Sequence, residues 1–241
     1  MSLDKDSRQP LYRQLMEELK EQIHNGIYKV GDQIPTEPEL ANQYEISRIT
    51  VRKTIKELCE QGYLVKQQGK GTFVETPKIY RKIEQQSNVS FTESCKQNGR
   101  VPLSHVLSFE IIKAEEWVQD FLKLDSETKV LLITRLLLAD NIPIIMENIY
   151  LPYDRFEDFQ PDKLENSSLF EYLDKKYHII THSKSRSTIE IDTASQEVAS
   201  KLGIVTGEPV MLMCNYMKDQ DEVPTYISRE IIIGNRYIVS I

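Results

Sequence analysis

Residues 34–58 read IPTEPELANQYEISRITVRKTIKEL. Thr36 stands three residues before Glu39, the spacing of a capping box, and Pro38 falls in the first turn, where a missing amide hydrogen costs nothing. A short helix therefore runs to about Tyr44. Ser47 then caps a second helix in which Val51, Ile55 and Leu58 form one apolar stripe, while Arg48, Arg52, Lys53 and Lys56 take the other positions. Gln61-Gly62 stops it. Two short helices joined by a tight turn, the second basic on its free face, predict a helix-turn-helix.

Upstream, Leu11, Leu15, Met16, Leu19 and Ile23 recur with the period of one helix face, between Pro10 and Asn25-Gly26, and Lys29 to Asp32 forms a turn. Downstream, Tyr63 to Gln68 and Thr72 to Glu75 read as two strands joined by Gly69-Lys70-Gly71. Three helices and a hairpin make residues 1–76 a winged helix-turn-helix domain, mainly α with a β-hairpin wing. Residues 77–90 are polar, contain Pro77 and read as a linker. Beyond them, strands are predicted at Ser104 to Ile112, Lys129 to Ala139, Ile144 to Leu151, Ser187 to Ile191, Val210 to Met217 and Thr225 to Ile233. Helices are predicted at Phe91 to Asn98, Glu115 to Leu122, Ser168 to Lys176 and Ser195 to Leu202. Turns such as Ala139-Asp140-Asn141 join neighbouring strands, so residues 91–241 form an α+β domain with an antiparallel sheet.

The 241 residues carry 30 Lys+Arg against 37 Asp+Glu, a net charge of -7 that argues against indiscriminate nucleic-acid binding. Along the chain the charge is uneven. Residues 46–74 contain six basic and two acidic residues, a local +4, whereas residues 78–241 contain 19 Lys+Arg and 25 Asp+Glu. Phosphates respond to charge within about 8 Å at physiological salt, so one basic face is enough to hold DNA while the rest stays acidic. Cys59, Cys95 and Cys214 are scattered, which supports neither a disulfide framework nor a zinc site and suits a reducing compartment. The first ten residues hold no apolar core for a signal peptide and no run approaches a membrane span, so the expected setting is the cytoplasm.

Four motifs in order, PLYRQL from Pro10, IPTEPELA from Ile34, SRITVRKTI from Ser47 and QQGKGTFV from Gln67, resemble the N-terminal domain of the GntR family of bacterial transcription regulators. The resemblance implies that Ser47, Arg48, Thr50 and Arg52 contact operator DNA and that Gln68, Gly69 and Lys70 of the wing reach the adjacent groove. The second half is similar to the UTRA effector domain of the HutC-type branch, through SFTE at Ser90, NGRVPLSHVL at Asn98, RLLLAD at Arg135, PIIMENIYLP at Pro143, SLFEYL at Ser168, VPTYIS at Val223 and NRY at Asn235. This implies a chorismate-lyase-like antiparallel sheet that binds a small effector and holds a homodimer. The implied effector residues are Phe91, Thr92, Arg135, Glu147, Ser168, Phe170 and Tyr226. Relative to sugar-phosphate-responsive members, Leu137 replaces a second arginine, Tyr226 a carboxylate and Ile232 a tyrosine, which points to a less charged or more apolar effector.

Each feature has a plainer structural reading. Arg135 and Glu147 lie on neighbouring predicted strands and could pair with each other; Phe170 and Tyr226 could be core aromatics, and Trp117 packing. His178 and His182 are four apart, but no Glu follows His178 and the intervening residues favour extended chain, so no metal is expected. Lys70 lacks the spacing of a phosphate loop. No nucleophile-base set and no cofactor loop is found. The expected function is a ligand-responsive, homodimeric repressor acting on a pseudo-palindromic operator, with a sugar or sugar phosphate as effector. The alternatives are an enzyme built on the chorismate-lyase-like domain, or a dimeric DNA-binding protein without an effector.

Overall fold

A computed structural model describes residues 3–5, 7, 9–75, 78–82, 89–180 and 184–240. The chain divides into two compact units, Met1–Lys78 and Ile79–Ile241.

In the first unit, α1 (Leu11–His24), α2 (Glu37–Gln43) and α3 (Arg48–Glu60) precede a hairpin of β1 (Leu64–Gln67) and β2 (Gly71–Val74). The apolar stripes read from the sequence meet in one core: Leu15 and Leu19 of α1, Leu40 of α2, and Val51, Ile55 and Leu58 of α3 are all buried, with Tyr63, Leu64 and Val74 of the hairpin. Truncating such a leucine to alanine costs about 2–5 kcal/mol. Both helix caps form as the sequence requires. Thr36 N and Oγ1 donate to Glu39 Oε2 at 2.8 and 2.7 Å, and Ser47 Oγ accepts from Thr50 N at 3.1 Å. The wing turns through Gln68-Gly69-Lys70, and its first strand is one residue shorter at each end than expected, with Gln67 opposite Gly71. Gly71 has φ +134, and a Cβ there would overlap the Gln33 side-chain amide, which donates to Lys70 O.

The second unit is a six-stranded antiparallel sheet in the order β4-β5-β6-β9-β8-β7. Its strands are β4 (Pro102–Lys113), β5 (Lys129–Ala139), β6 (Ile142–Pro152), β7 (Lys184–Thr193), β8 (Pro209–Lys218) and β9 (Pro224–Ile233). One face carries α4 (Phe91–Gln97) and α6 (Leu169–Tyr177), which bury Phe91, Cys95, Leu169 and Leu173 against Ile133, Leu137, Ile149 and Met213. The other face carries α5 (Glu116–Leu122) and α7 (Gln196–Leu202), seated on Val130, Tyr150, Ile227, Met146 and Ile233. Trp117 packs edge-on against Tyr150 on that second face, as its structural reading has it.

Two features depart from the sequence reading. Ile79–Lys82, inside the stretch read as a linker, forms β3 and pairs in parallel with β10 (Tyr237–Ser240). Ile79 and Tyr237 are buried in the same cluster as α4, so apolar burial there overrides the polar composition of the surrounding stretch. Residues 77 and 83–88 of that stretch, with residue 76 before it and His182, lie outside the described residues. The strands β4 and β7 are also longer than expected, because the residues at their ends lack the apolar alternation on which the sequence reading relied.

Candidate DNA-binding face and effector cavity

The N-terminus of α3 presents Ser47, Arg48 and Ile49 to solvent, with Thr50 half-buried beside them. Ser47 Oγ and Thr50 Oγ1 also lie 2.8 Å apart, which fixes the first turn. Thr54 anchors the helix by donating to Tyr12 O at 3.0 Å, and Lys53 Nζ sits 3.7 Å above the Tyr12 ring. Arg48 is exposed, while Arg52 is held: its Nε donates to Glu37 Oε2 at 3.1 Å, and Lys66 Nζ donates to the other oxygen at 3.0 Å. Lys66 first, and Arg52 after burial, keep the Glu37 carboxyl below its ordinary range. Glu37 lies just outside the window that gave +4, so the basic face is less charged than the linear count. Gln68, Gly69 and Lys70 are all exposed at the wing tip. Ile49, 79% exposed, was not singled out by sequence reasoning. Its place beside Arg48 outside the apolar stripe was the available signal.

In the second unit the seven expected effector residues, Phe91, Thr92, Arg135, Glu147, Ser168, Phe170 and Tyr226, all line one cavity that opens to solvent. Alternation along β5 aims Arg135 the same way as Ile133 and Leu137, toward α4 and α6. Arg135 and Glu147 stand opposite each other on β5 and β6, and Glu147 stands opposite Glu230 on β9. Like charges directly opposite are destabilising unless something intervenes. Here a cation flanks each carboxylate. Arg135 Nε and Nη2 donate to Glu147 Oε2 at 3.0 and 2.5 Å. Arg81 Nη1 donates to both Glu230 oxygens at 3.3 and 3.1 Å.

Ser228 Oγ donates to Glu147 Oε1 at 2.7 Å, and Asn215 Nδ2 to Glu230 Oε1 at 3.1 Å. All four ionised side chains are at most 7% exposed. Burial works against the Arg81 charge, and Glu230 and Tyr237 more than offset it, so the guanidinium stays protonated. Arg135 Nη1 also donates to Ser167 O at 3.2 Å, at the entry to α6. Ser168, the N-cap of α6, makes no side-chain cap bond.

Sequence reasoning missed Arg81, Asn215, Ser228 and Glu230 of this cavity, as well as Asn166 and Ser104. It brought in Ile232, which is instead fully buried in the apolar cluster beneath α4. Leu137 does line the cavity, and Tyr226 is wholly buried in the core beside it as well as forming part of its wall. Among the described residues no cluster of His, Cys, Asp and Glu could hold a metal ion, and no helix is long and apolar enough to cross a membrane.

A winged helix-turn-helix with a basic recognition face, joined to an α+β unit whose cavity sets two buried ion pairs among apolar walls, defines a DNA-binding regulator that senses a small molecule. Residues 11–74 match the model of the bacterial regulatory proteins of the gntR family, and residues 97–238 match the UTRA domain. The chain is 32% identical to the HTH-type transcriptional repressor NagR of Bacillus subtilis (strain 168), over 98% of this chain and 96% of that protein. It is 31% identical to the probable fructoselysine utilization operon transcriptional repressor of Escherichia coli (strain K12), over 99% and 96%. The crystal structure of PhnF from Mycobacterium smegmatis superposes with a TM-score of 0.67 at 25% identity, covering 96% of this chain and 99% of that one. The chain belongs to the GntR family and carries a UTRA domain: it is a transcription regulator that binds operator DNA and responds to a small effector, not an enzyme.

Proposed function

We propose that this protein is a cytoplasmic, homodimeric repressor that leaves a pseudo-palindromic operator when a sugar or sugar phosphate fills the cavity of its UTRA domain. The observation that carries this reading is the gathering of seven motif residues from α4, β5, β6, α6 and β9 around one cavity. Relatives named as repressors of fructoselysine utilization and of mannosyl-D-glycerate transport and metabolism support a sugar-related effector. Ser47, Arg48, Thr50 and Arg52 contact the operator, where an arginine reads guanine through two hydrogen bonds and Ile49 packs on a thymine methyl. Gln68, Gly69 and Lys70 of the wing touch the neighbouring groove. Two-fold DNA calls for a two-fold protein, hence the dimer.

Regulation requires that the effector bind the DNA-incompetent state more tightly than the competent one. In the cavity, Arg135, Glu147, Thr92 and Ser168 supply hydrogen bonds, and Phe91, Phe170 and Tyr226 supply apolar walls. Metabolites that raise the melting temperature of the full chain are to be added at saturation to an operator titration. Release of the operator supports the reading; a bound metabolite that leaves operator affinity unchanged removes the regulatory part.

A further inference from the structure

We propose that Glu147 and Glu230 are specificity-determining residues that cancel the charge of the cavity's two arginines, reserving it for an uncharged, hydroxyl-rich ligand and excluding phosphorylated ones. The proposal rests on the cavity being the effector site and narrows the ligand class.

A row of four charges runs along the cavity wall. Arg135, Glu147, Glu230 and Arg81 form two adjoining ion pairs, and all four side chains line the cavity. Each arginine is within hydrogen-bond distance of its own carboxylate, so the row has no net charge. A phosphate dianion entering the cavity gives up its water shell, and a neutral row returns no net attraction for that loss. Binding it directly to Arg135 would require breaking the 2.5 Å contact to Glu147 or holding two anions side by side.

Hydrogen-bonding capacity leads to the same ligand. Glu147 takes three donors, two from Arg135 and one from Ser228, out of about four positions a carboxylate offers. What it can still use is a donor, which a sugar hydroxyl has and the phosphoryl group of a phosphate monoester, as its dianion, lacks. Around it the wall supplies Thr92, Asn166, Ser167 and Ser168, short polar groups suited to hydroxyls, against the apolar surfaces of Leu137 and Met217. The N-terminus of α6 offers only a partial positive charge, enough for a hydroxyl oxygen.

Methyl phosphate, whose dianion carries no hydroxyl, is the probe, titrated against the full chain at constant ionic strength and read by thermal shift. The wild type is expected to show no saturable stabilisation at millimolar methyl phosphate. Glu147→Gln keeps the shape and the Ser228 contact but frees the Arg135 charge, and is expected to gain saturable methyl phosphate binding, roughly tenfold or more tighter than the wild type. Glu230→Gln makes the same test through Arg81 and serves if Glu147→Gln does not fold. Saturable wild-type binding within about twofold of the variants, or no binding by any of the three, overturns the proposal. Failure of the regulatory reading would register separately, as an operator affinity unmoved by a bound metabolite.

Discussion

Arg52 Nε donates to Glu37 Oε2 at 3.1 Å, and because Lys66 reaches the other oxygen, a single carboxylate on α2 ties the middle of α3 to the first strand of the wing. The pair is partly exposed, so its worth to stability is about 0–1 kcal/mol. Its larger effect is on charge, since it occupies two of the six cations on the basic face. Glu37→Gln should tighten binding to non-operator duplex and steepen the plot of log affinity against log salt by about one unit. Titrations at several salt concentrations check this, and an unchanged slope would mean that neither freed cation meets a phosphate.

Arg48 is exposed at the head of α3, so Arg48→Ala should leave the melting temperature in place. Operator binding should weaken by about 1–3 kcal/mol if the side chain reads a base. Ser47→Ala should behave differently. It removes the cap on Thr50 N and should lower stability by about 1 kcal/mol in a urea titration, with operator affinity falling alongside.

At the β8–β9 turn, Asp219 Oδ1 accepts from Asp221 N and Val223 N, and Oδ2 accepts from Arg155 Nη2 at 2.7 Å. Burial pushes its carboxyl up, but Arg155 and the two amides outweigh burial and hold it below the usual range. A depressed folded value stabilises the fold above the unfolded value of about 3.9, and that contribution disappears as pH falls through the folded value. Asp219→Asn should cost about 1–3 kcal/mol at neutral pH. It should also flatten the acid limb of the melting-temperature profile below about pH 4. A parallel downward shift of the whole profile would contradict the assignment.

The Arg135–Glu147 pair separates packing from recognition. Arg135→Met alone strands a buried carboxylate and should cost about 3–5 kcal/mol, whereas Arg135→Met with Glu147→Leu should recover most of that loss. Chemical denaturation of both variants measures the difference. The double variant should fold yet bind no effector; retained effector binding would make the pair purely structural.

Why sequence alone reached part of this site follows from local geometry. Asp140 and Asn141 both have positive φ, as a two-residue type I′ hairpin demands, so β5 and β6 are legible as partners. What the sequence does not display is the register shift between Leu137 and Leu138, which leaves Ile144 unpaired. Without it, Met146 rather than Glu147 would stand opposite Arg135, and the pair would not form. Arg81 was out of reach because its strand is four residues long, sits in a polar stretch and pairs with a segment more than 150 residues away. Glu230 and Asn215 read as ordinary polar positions in strands until the sheet order places Glu230 opposite Glu147 and brings Asn215 to Glu230. The helices of the first unit needed no such help, because caps and apolar stripes are written in adjacent residues.

Under the proposed function, occupancy of the cavity in the UTRA domain controls operator binding. The most direct measurement is operator affinity of the full chain at fixed salt, with and without a saturating metabolite shown to bind the wild type but not the Arg135→Met/Glu147→Leu variant. A loss of at least about tenfold in the wild type, absent from the variant, is the predicted result, equivalent to a coupling of about 1.4 kcal/mol. Equal operator affinity with the cavity filled and empty would show that occupancy does not control operator release.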